Sequence, residues 1–189
     1  LSDYIGEKTL NKALSKYVEK VAFQEPPYTT SIDLVNHIKE ATPDSLNYLI
    51  KDMFETITLY QNRIIETKSK KLDNGKYKVD IEFKVSKYRN NEKGRAFYGE
   101  EERDSITYQT SDMKKPDYSV FLADYIDLGI FGKDEDDNET ELYLKKHKIS
   151  SIHNKISIIV DKEPIEVGID PYNKLIDTNS EDNRKKIEK

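Results

Sequence analysis

The residues of this chain best suited to acid–base or metal chemistry are its three histidines, His37, His147 and His153. His37 opens the stretch HIKEA, so Glu40 follows three residues later on the same helical face. A His and a carboxylate at that spacing suit a carboxylate-bridged metal site. The second His such a turn would need is missing, and a lone helical His ordinarily fills surface or core. His147 and His153 flank an expected turn between strands in KKHKISSIHNK, a solvated setting. The stretch GKDEDDNETE places Asp134, Asp136 and Asn138 at alternate positions, as in a calcium-binding loop. Glu139 then stands where the sharp turn needs Gly, and Lys145 where a bidentate Glu should close the site. The stretch therefore reads as the acidic tip of a hairpin. Cysteine is absent, which excludes disulfides, thiolate nucleophiles and Cys-based zinc sites. Neither a Gly-rich phosphate loop nor a Ser in a nucleophile elbow occurs.

One compact stretch stands apart. VGIDPYNKLID follows the last expected strand; Gly168 allows an abrupt change of direction there, and Asp170 and Pro171 favour a turn. Tyr172, Leu175 and Ile176 can then pack back onto the sheet or onto a neighbour. Gly168, Asp170, Pro171 and Tyr172 are thus expected to form a structural lock for the end of the chain, or a docking segment. Catalytic residues and metal ligands are not expected in this chain.

Two kinds of element must position these residues. From Leu1 to about Tyr60 the apolar spacing is helical, with Leu10, Leu14, Tyr17, Val18 and Val21 on one face. FQEPPYTTS breaks the pattern at its two prolines, and Thr30 or Ser31 offers a cap for a second helix with Asp33 at its positive end. ATPDSL repeats the device, with Thr42 as cap, Pro43 in the first turn and Asp44 on the dipole, ahead of Leu46, Leu49, Ile50, Met53, Phe54 and Ile57. After Asn62 the period becomes two. NRIIETKSKKL, the pair Asn74-Gly75, and the alternating Tyr77, Val79, Ile81, Phe83 and Val85 make a hairpin. Further strands are expected at YIDLGIFG, ELYLKKHKI, KISIIVDKEP and SITYQT. RNNEKGRAFYGEEERD and TNSEDNRKKIEK are polar and read as loose. The fold class expected is α+β: antiparallel helices over 1–61, an Ig-like antiparallel β-sandwich over 62–178, and a polar tail over 179–189.

Composition narrows the partners. Of 189 residues, 31 are basic and 36 acidic, a formal charge of -5 that lacks the basic footprint of a nucleic-acid-binding protein. No run reaches the roughly 20 apolar residues of a membrane span, so direct membrane insertion by this segment is not expected and the segment itself reads as soluble. Thirteen Tyr and no Trp suit strands with half-buried faces. The opening LSDYIGEKTL sets Leu1, Tyr4 and Ile5 at helical spacing ahead of Gly6, a helix stop, as if cut from something larger. Such a cut would expose Leu1, Tyr4 and Ile5 beside Leu10, Leu14 and Val18, and lead to self-association.

The stretch IGEKTLNKALSKYVEKVAFQEPPYTTSIDLVNHIKEAT, with LNYLIKDMFETITLY after it, resembles the helical region of aminopeptidase N-type gluzincin zinc metallopeptidases. Gly6, Glu7, Ala13, Leu14, Tyr17 and Phe23 match one helix of that family, and Ser31, Asp33 and Leu34 the next. Phe54 replaces the usual Trp, and no GxP follows it. KKLDNGKYKVDIEFKVSKY, YIDLGIFG, LYLKKHKI and VDKEPIEVGIDPYNKLID resemble the C-terminus of Bacteroidetes-type bacterial members fused to ABC-2-type transporter permease segments. The resemblance implies a non-catalytic accessory region that walls the substrate cleft and contacts the upstream peptidase domain of a membrane-associated parent. Zinc belongs to that parent, whose H-E-x-x-H helix is not among these residues. The alternative is an independent extracytoplasmic β-sandwich binding module with a helical cap.

Overall fold

The computed structural model describes residues 1–90, the backbone of 96–98, residue 120 and residues 122–188. The chain divides into two compact units, Leu1–Ile57 and Thr58–Lys189. The division falls where the first strand begins, a few residues before the change of period near 61.

The first unit is helical. A single turn, α1 (Ser2–Ile5), ends at Gly6, whose φ of 86° is left-handed and whose N–H donates to the Ser2 carbonyl. α2 (Glu7–Val21) and α3 (Ser31–Ala41) follow. Thr30 and Asp33 form a capping box at the start of α3, where the Asp33 carboxylate accepts the Thr30 N–H at 2.7 Å. That bond holds the Asp33 carboxyl below the usual carboxylate range. Thr42 does not cap the next helix as expected. Its hydroxyl donates back to the Ile38 carbonyl at 2.8 Å, so it closes α3 instead. The third helical stretch changes pitch along its length: a 3₁₀ turn at Asp44–Leu46, α4 (Asn47–Ile50), then a π turn over Lys51–Glu55. Leu49 and Ile50 are buried within it, while Met53 and Phe54 are exposed.

The second unit is built from two four-stranded antiparallel sheets. β1 (Ile57–Lys71) and β2 (Tyr77–Asn90) are joined through Gly75, at φ 82°, in the expected Asn-Gly turn. β2 pairs with β6 (His153–Val160) along its first half and with β3 (Ala96–Tyr98) at its end. In the other sheet β4 (Asp124–Lys133) lies between β5 (Glu139–Ile149) and β7 (Pro164–Ile169), and β8 (Arg184–Lys186) pairs with β7. Ile64, Val79, Phe83 and Ile158 from the first sheet meet Ile126, Leu128, Val167 and Ile169 from the second in one apolar cluster. The alternation of β2 is thus one face in the core and one face in water.

Three expectations need correction. The residues from 179 on are not a free tail: Ser180–Asp182 form a 3₁₀ turn and β8 joins the second sheet. Gly168 does not turn the chain, since it lies inside β7 opposite Gly129 and Arg184. Of the segment read as loose between β2 and β4, Arg89 and Asn90 end β2 and Ala96–Tyr98 form β3. Its remainder, and the strand expected at SITYQT, lie outside the described residues.

Candidate functional site

The stretch that follows β7 gathers most of the organised polar chemistry. Asp170 takes a left-handed φ of 45° and its N–H donates to the Asp127 carbonyl at 2.7 Å, which turns the chain out of the sheet. Its buried carboxylate then receives the Lys174 N–H (3.0 Å) and the Leu175 N–H (2.9 Å). One acid therefore closes a five-residue loop on itself, as Asp does in turns. Burial pushes the Asp170 carboxyl up to about 6, against the pull of those two N–H groups, and the neighbouring carboxylates of Asp127 and Asp177 add to the rise.

Pro171 lies close to two glycines. A Cβ on Gly168 would stand 2.8 Å from the Pro171 Cβ, and one on Gly129 would stand 3.1 Å from its Cγ. Gly168 is closed chiefly by the proline, while at Gly129 the Phe131 ring stands closer still, 2.8 Å from where a Cβ would be. Beside it, Phe131 is fully buried beneath Tyr172, edge to face at 6.2 Å, and the Arg184 guanidinium, 4.2 Å from the ring centroid. Tyr172 donates its hydroxyl to Glu141, which holds the phenol proton on more tightly than usual. Arg184 pairs with Glu139 (2.6 Å) and Glu166 (3.0 Å). Asp127, almost wholly buried, is neutralised by Lys146 (3.0 Å) and Lys174 (2.8 Å).

The chain next crosses to the other sheet. The Tyr60 N–H donates to the Ile176 carbonyl at 2.9 Å, and the Thr178 N–H donates to the Tyr60 carbonyl at 3.1 Å. The Asp177 carboxylate accepts the Asn62 N–H at 2.8 Å. Asn183 is fully buried; with its amide turned to satisfy both neighbours, Nδ2 donates to the Asn62 carbonyl (2.8 Å) and to Asp177 (3.2 Å). Its own carbonyl accepts the Ile169 N–H at 2.9 Å. Asp177 and Asn183 thereby fasten β1 of one sheet to the end of β7 in the other. Of the four residues singled out from sequence, Asp170, Pro171 and Gly168 come together, and Tyr172 stands over Phe131 next to them. Asp127, Lys146, Asp177 and Asn183 were missed, because each belongs to the lock through a pairing that no local spacing encodes.

The histidines stand apart from one another. His37 meets Tyr17 edge to face at 5.6 Å in the helical unit. His147 shares a 2.7 Å hydrogen bond with the Tyr143 hydroxyl on β5, and burial with the nearby Lys145 lowers its pKa. His153 begins β6 opposite Lys84. In the acidic hairpin tip the Asp134 carboxylate accepts the N–H groups of Asp136 (3.0 Å) and Asn138 (2.8 Å). Among the described residues no group of three His, Asp or Glu side chains is placed to hold a metal ion. No helix among them is long and apolar enough to cross a membrane. Across protein-family models, curated proteins and solved structures, nothing matches this chain.

Proposed function

We propose that this chain is a non-catalytic accessory region of a membrane-associated zinc aminopeptidase-like protein, attached to its larger partner through the helical unit. One observation carries the attachment: Phe23 is fully exposed, and Tyr28, Ile32 and Val18 are more than half exposed around the link between α2 and α3. Phe23 also holds a left-handed φ of 62°, which a bulky residue adopts only at a cost. Large apolar side chains grouped in this way on a small unit favour a surface that another protein covers. The identity of that partner, the upstream peptidase domain, rests on the sequence resemblance, as does the role of the helices in walling a substrate cleft. Zinc is assigned to the upstream domain by the same resemblance.

In this reading the second unit is an Ig-like β-sandwich that meets a partner. Its strand orders support that assignment. Read as A, B and E, the strands β1, β2 and β6 follow one immunoglobulin sheet, to which the short β3 on β2 is an addition; β5, β4, β7 and β8 follow the other as C′, C, F and G. The lock then occupies the F–G connection, where its polar groups are spent on one another rather than offered to a ligand.

The test pairs metal analysis with an aminoacyl-anilide assay on the purified chain, and reads the coding frame upstream of Leu1. An H-E-x-x-H helix encoded upstream, with neither zinc nor cleavage in the chain alone, is the expected result. One stoichiometric zinc that survives chelation, or a signal peptide directly ahead of Leu1, would overturn it in favour of a self-sufficient module.

A further inference from the structure

The loop between β1 and β2 is closed by two backbone bonds: the Gly75 N–H donates to the Leu72 carbonyl at 3.0 Å, and the Leu72 N–H to the Lys76 carbonyl at 2.8 Å. All four residues from Asp73 to Lys76 are exposed. The Asn74 side chain folds onto the chain that follows it, where its Oδ1 accepts the Lys76 N–H at 3.1 Å. That bond closes a ring containing both the carboxamide carbon of Asn74 and the peptide nitrogen of Gly75. It also polarises the carboxamide and sets a donor where negative charge would develop on Oδ1. Gly75 presents no obstacle on its side: its φ is 82°, and no atom lies within 4 Å of where a Cβ would stand. Asn74 is the only Asn followed by Gly in the sequence.

We propose that Asn74 is a self-modification site, deamidated through a cyclic imide with water as the only co-reactant. This goes beyond the accessory role and does not depend on it. The Gly75 nitrogen attacks the Asn74 Cγ and forms a C–N bond, its proton passing to water; Nδ2 takes a proton from water and leaves as ammonia. Water then opens the imide at one of its two carbonyls. Attack at Cγ yields aspartate; attack at the main-chain carbonyl carbon yields isoaspartate, whose backbone runs through the former side chain and is one methylene longer. The Gly75 N–H must first leave the Leu72 carbonyl, so the reaction starts from a frayed loop, and exposed loop bonds are among the first to open. Either product places a negative charge at the turn. Isoaspartate also breaks the spacing that lets Leu72 meet Lys76, and so loosens the β1–β2 hairpin from its tip.

Peptide mapping by mass spectrometry, on the whole chain aged in mildly alkaline buffer, tests the proposal. Asn179, exposed and followed by the small Ser180, is the internal reference. Asn74 should convert at least about tenfold faster than Asn179, with part of the product resisting a protease that cleaves before aspartate, as isoaspartate does. G75A sets a methyl beside the attacking nitrogen and should slow conversion at Asn74 about tenfold, with Asn179 unchanged. N74S keeps a turn-forming residue but has no carboxamide, so its unfolding midpoint should hold with age while that of the wild type falls. Asn74 still intact when Asn179 has reacted would overturn the proposal. So would conversion of G75A at the wild-type rate, or an equal loss of midpoint in aged N74S.

Discussion

Among the described residues of the β unit, thirteen apolar side chains from both sheets form one buried cluster. Of its apolar side chains the helical unit keeps only Ala13, Ile38, Leu49 and Ile50 almost wholly out of water, while Val18, Phe23, Tyr28, Ile32, Met53 and Phe54 are exposed. Yet the helices are locally well made, with a capping box on α3 and a glycine stop after α1. Good caps contribute about 1 kcal/mol each, but helix stability in proteins comes chiefly from burying an amphipathic face. The difference teaches that local agreement between sequence and structure is not the same as a finished core. One unit closes on itself, and the other leaves several large apolar side chains in water.

Truncation in the two cores breaks or sharpens this contrast most strongly. Phe83→Ala empties a site buried on every side and should cost about 3–5 kcal/mol in denaturant unfolding of the β unit. Leu14→Ala in half-buried α2 should cost less than about 1.5 kcal/mol. Equal losses would mean that the helical unit has a core as tight as the sheets.

The lock offers the next largest effect. The Asp170 carboxyl titrates at about 6 in the folded chain and near 4 when unfolded. Between those values the folded state holds the proton and the unfolded state does not. The contribution of this group to stability is therefore fully present below pH 4, falls by roughly 2–3 kcal/mol as pH rises through 6, and is flat above. Asp170→Asn should remove that slope from the pH profile of the β unit, and an unchanged slope would assign it elsewhere. Gly168→Ala pushes a methyl against Pro171 and should cost roughly 1–3 kcal/mol by overpacking, read as a lower unfolding midpoint. Thr30→Ala, which removes the cap hydroxyl from α3, is expected to cost only about 1 kcal/mol, read as lost helicity on heating.

What the sequence revealed follows the range of the interactions. The alternation of Tyr77 to Val85 and the Asn-Gly turn are local and stand where the residues put them, and of the two caps open to α3, Thr30 or Ser31, the structure uses Thr30 in a box with Asp33. The residues from 179 on read as a polar tail because Arg184, Lys185 and Lys186 carry no apolar signal. They form β8 through backbone pairing with Glu166, Val167 and Gly168, partners some 18 residues away. Gly168 suggested a turn for the same reason: its neighbour in space, Pro171, lies across a loop whose path is set by Asp170. Thr42 carried two local options, a cap forward or a hydroxyl bond back to Ile38, and spacing alone does not choose between them. The exposure of Phe23 and Ile32 is likewise a matter of what packs against a helix, and no periodicity reports that.

Hydrogen exchange on the chain by itself tests the central contrast most directly. Amides of α2 and α3 should open at a lower free energy than those of β2 from Tyr77 to Val85, which should exchange only with global unfolding of the β unit. Uniform protection from Glu7 through Val85 would contradict the account, because it would mean that the helical unit is already complete without a partner.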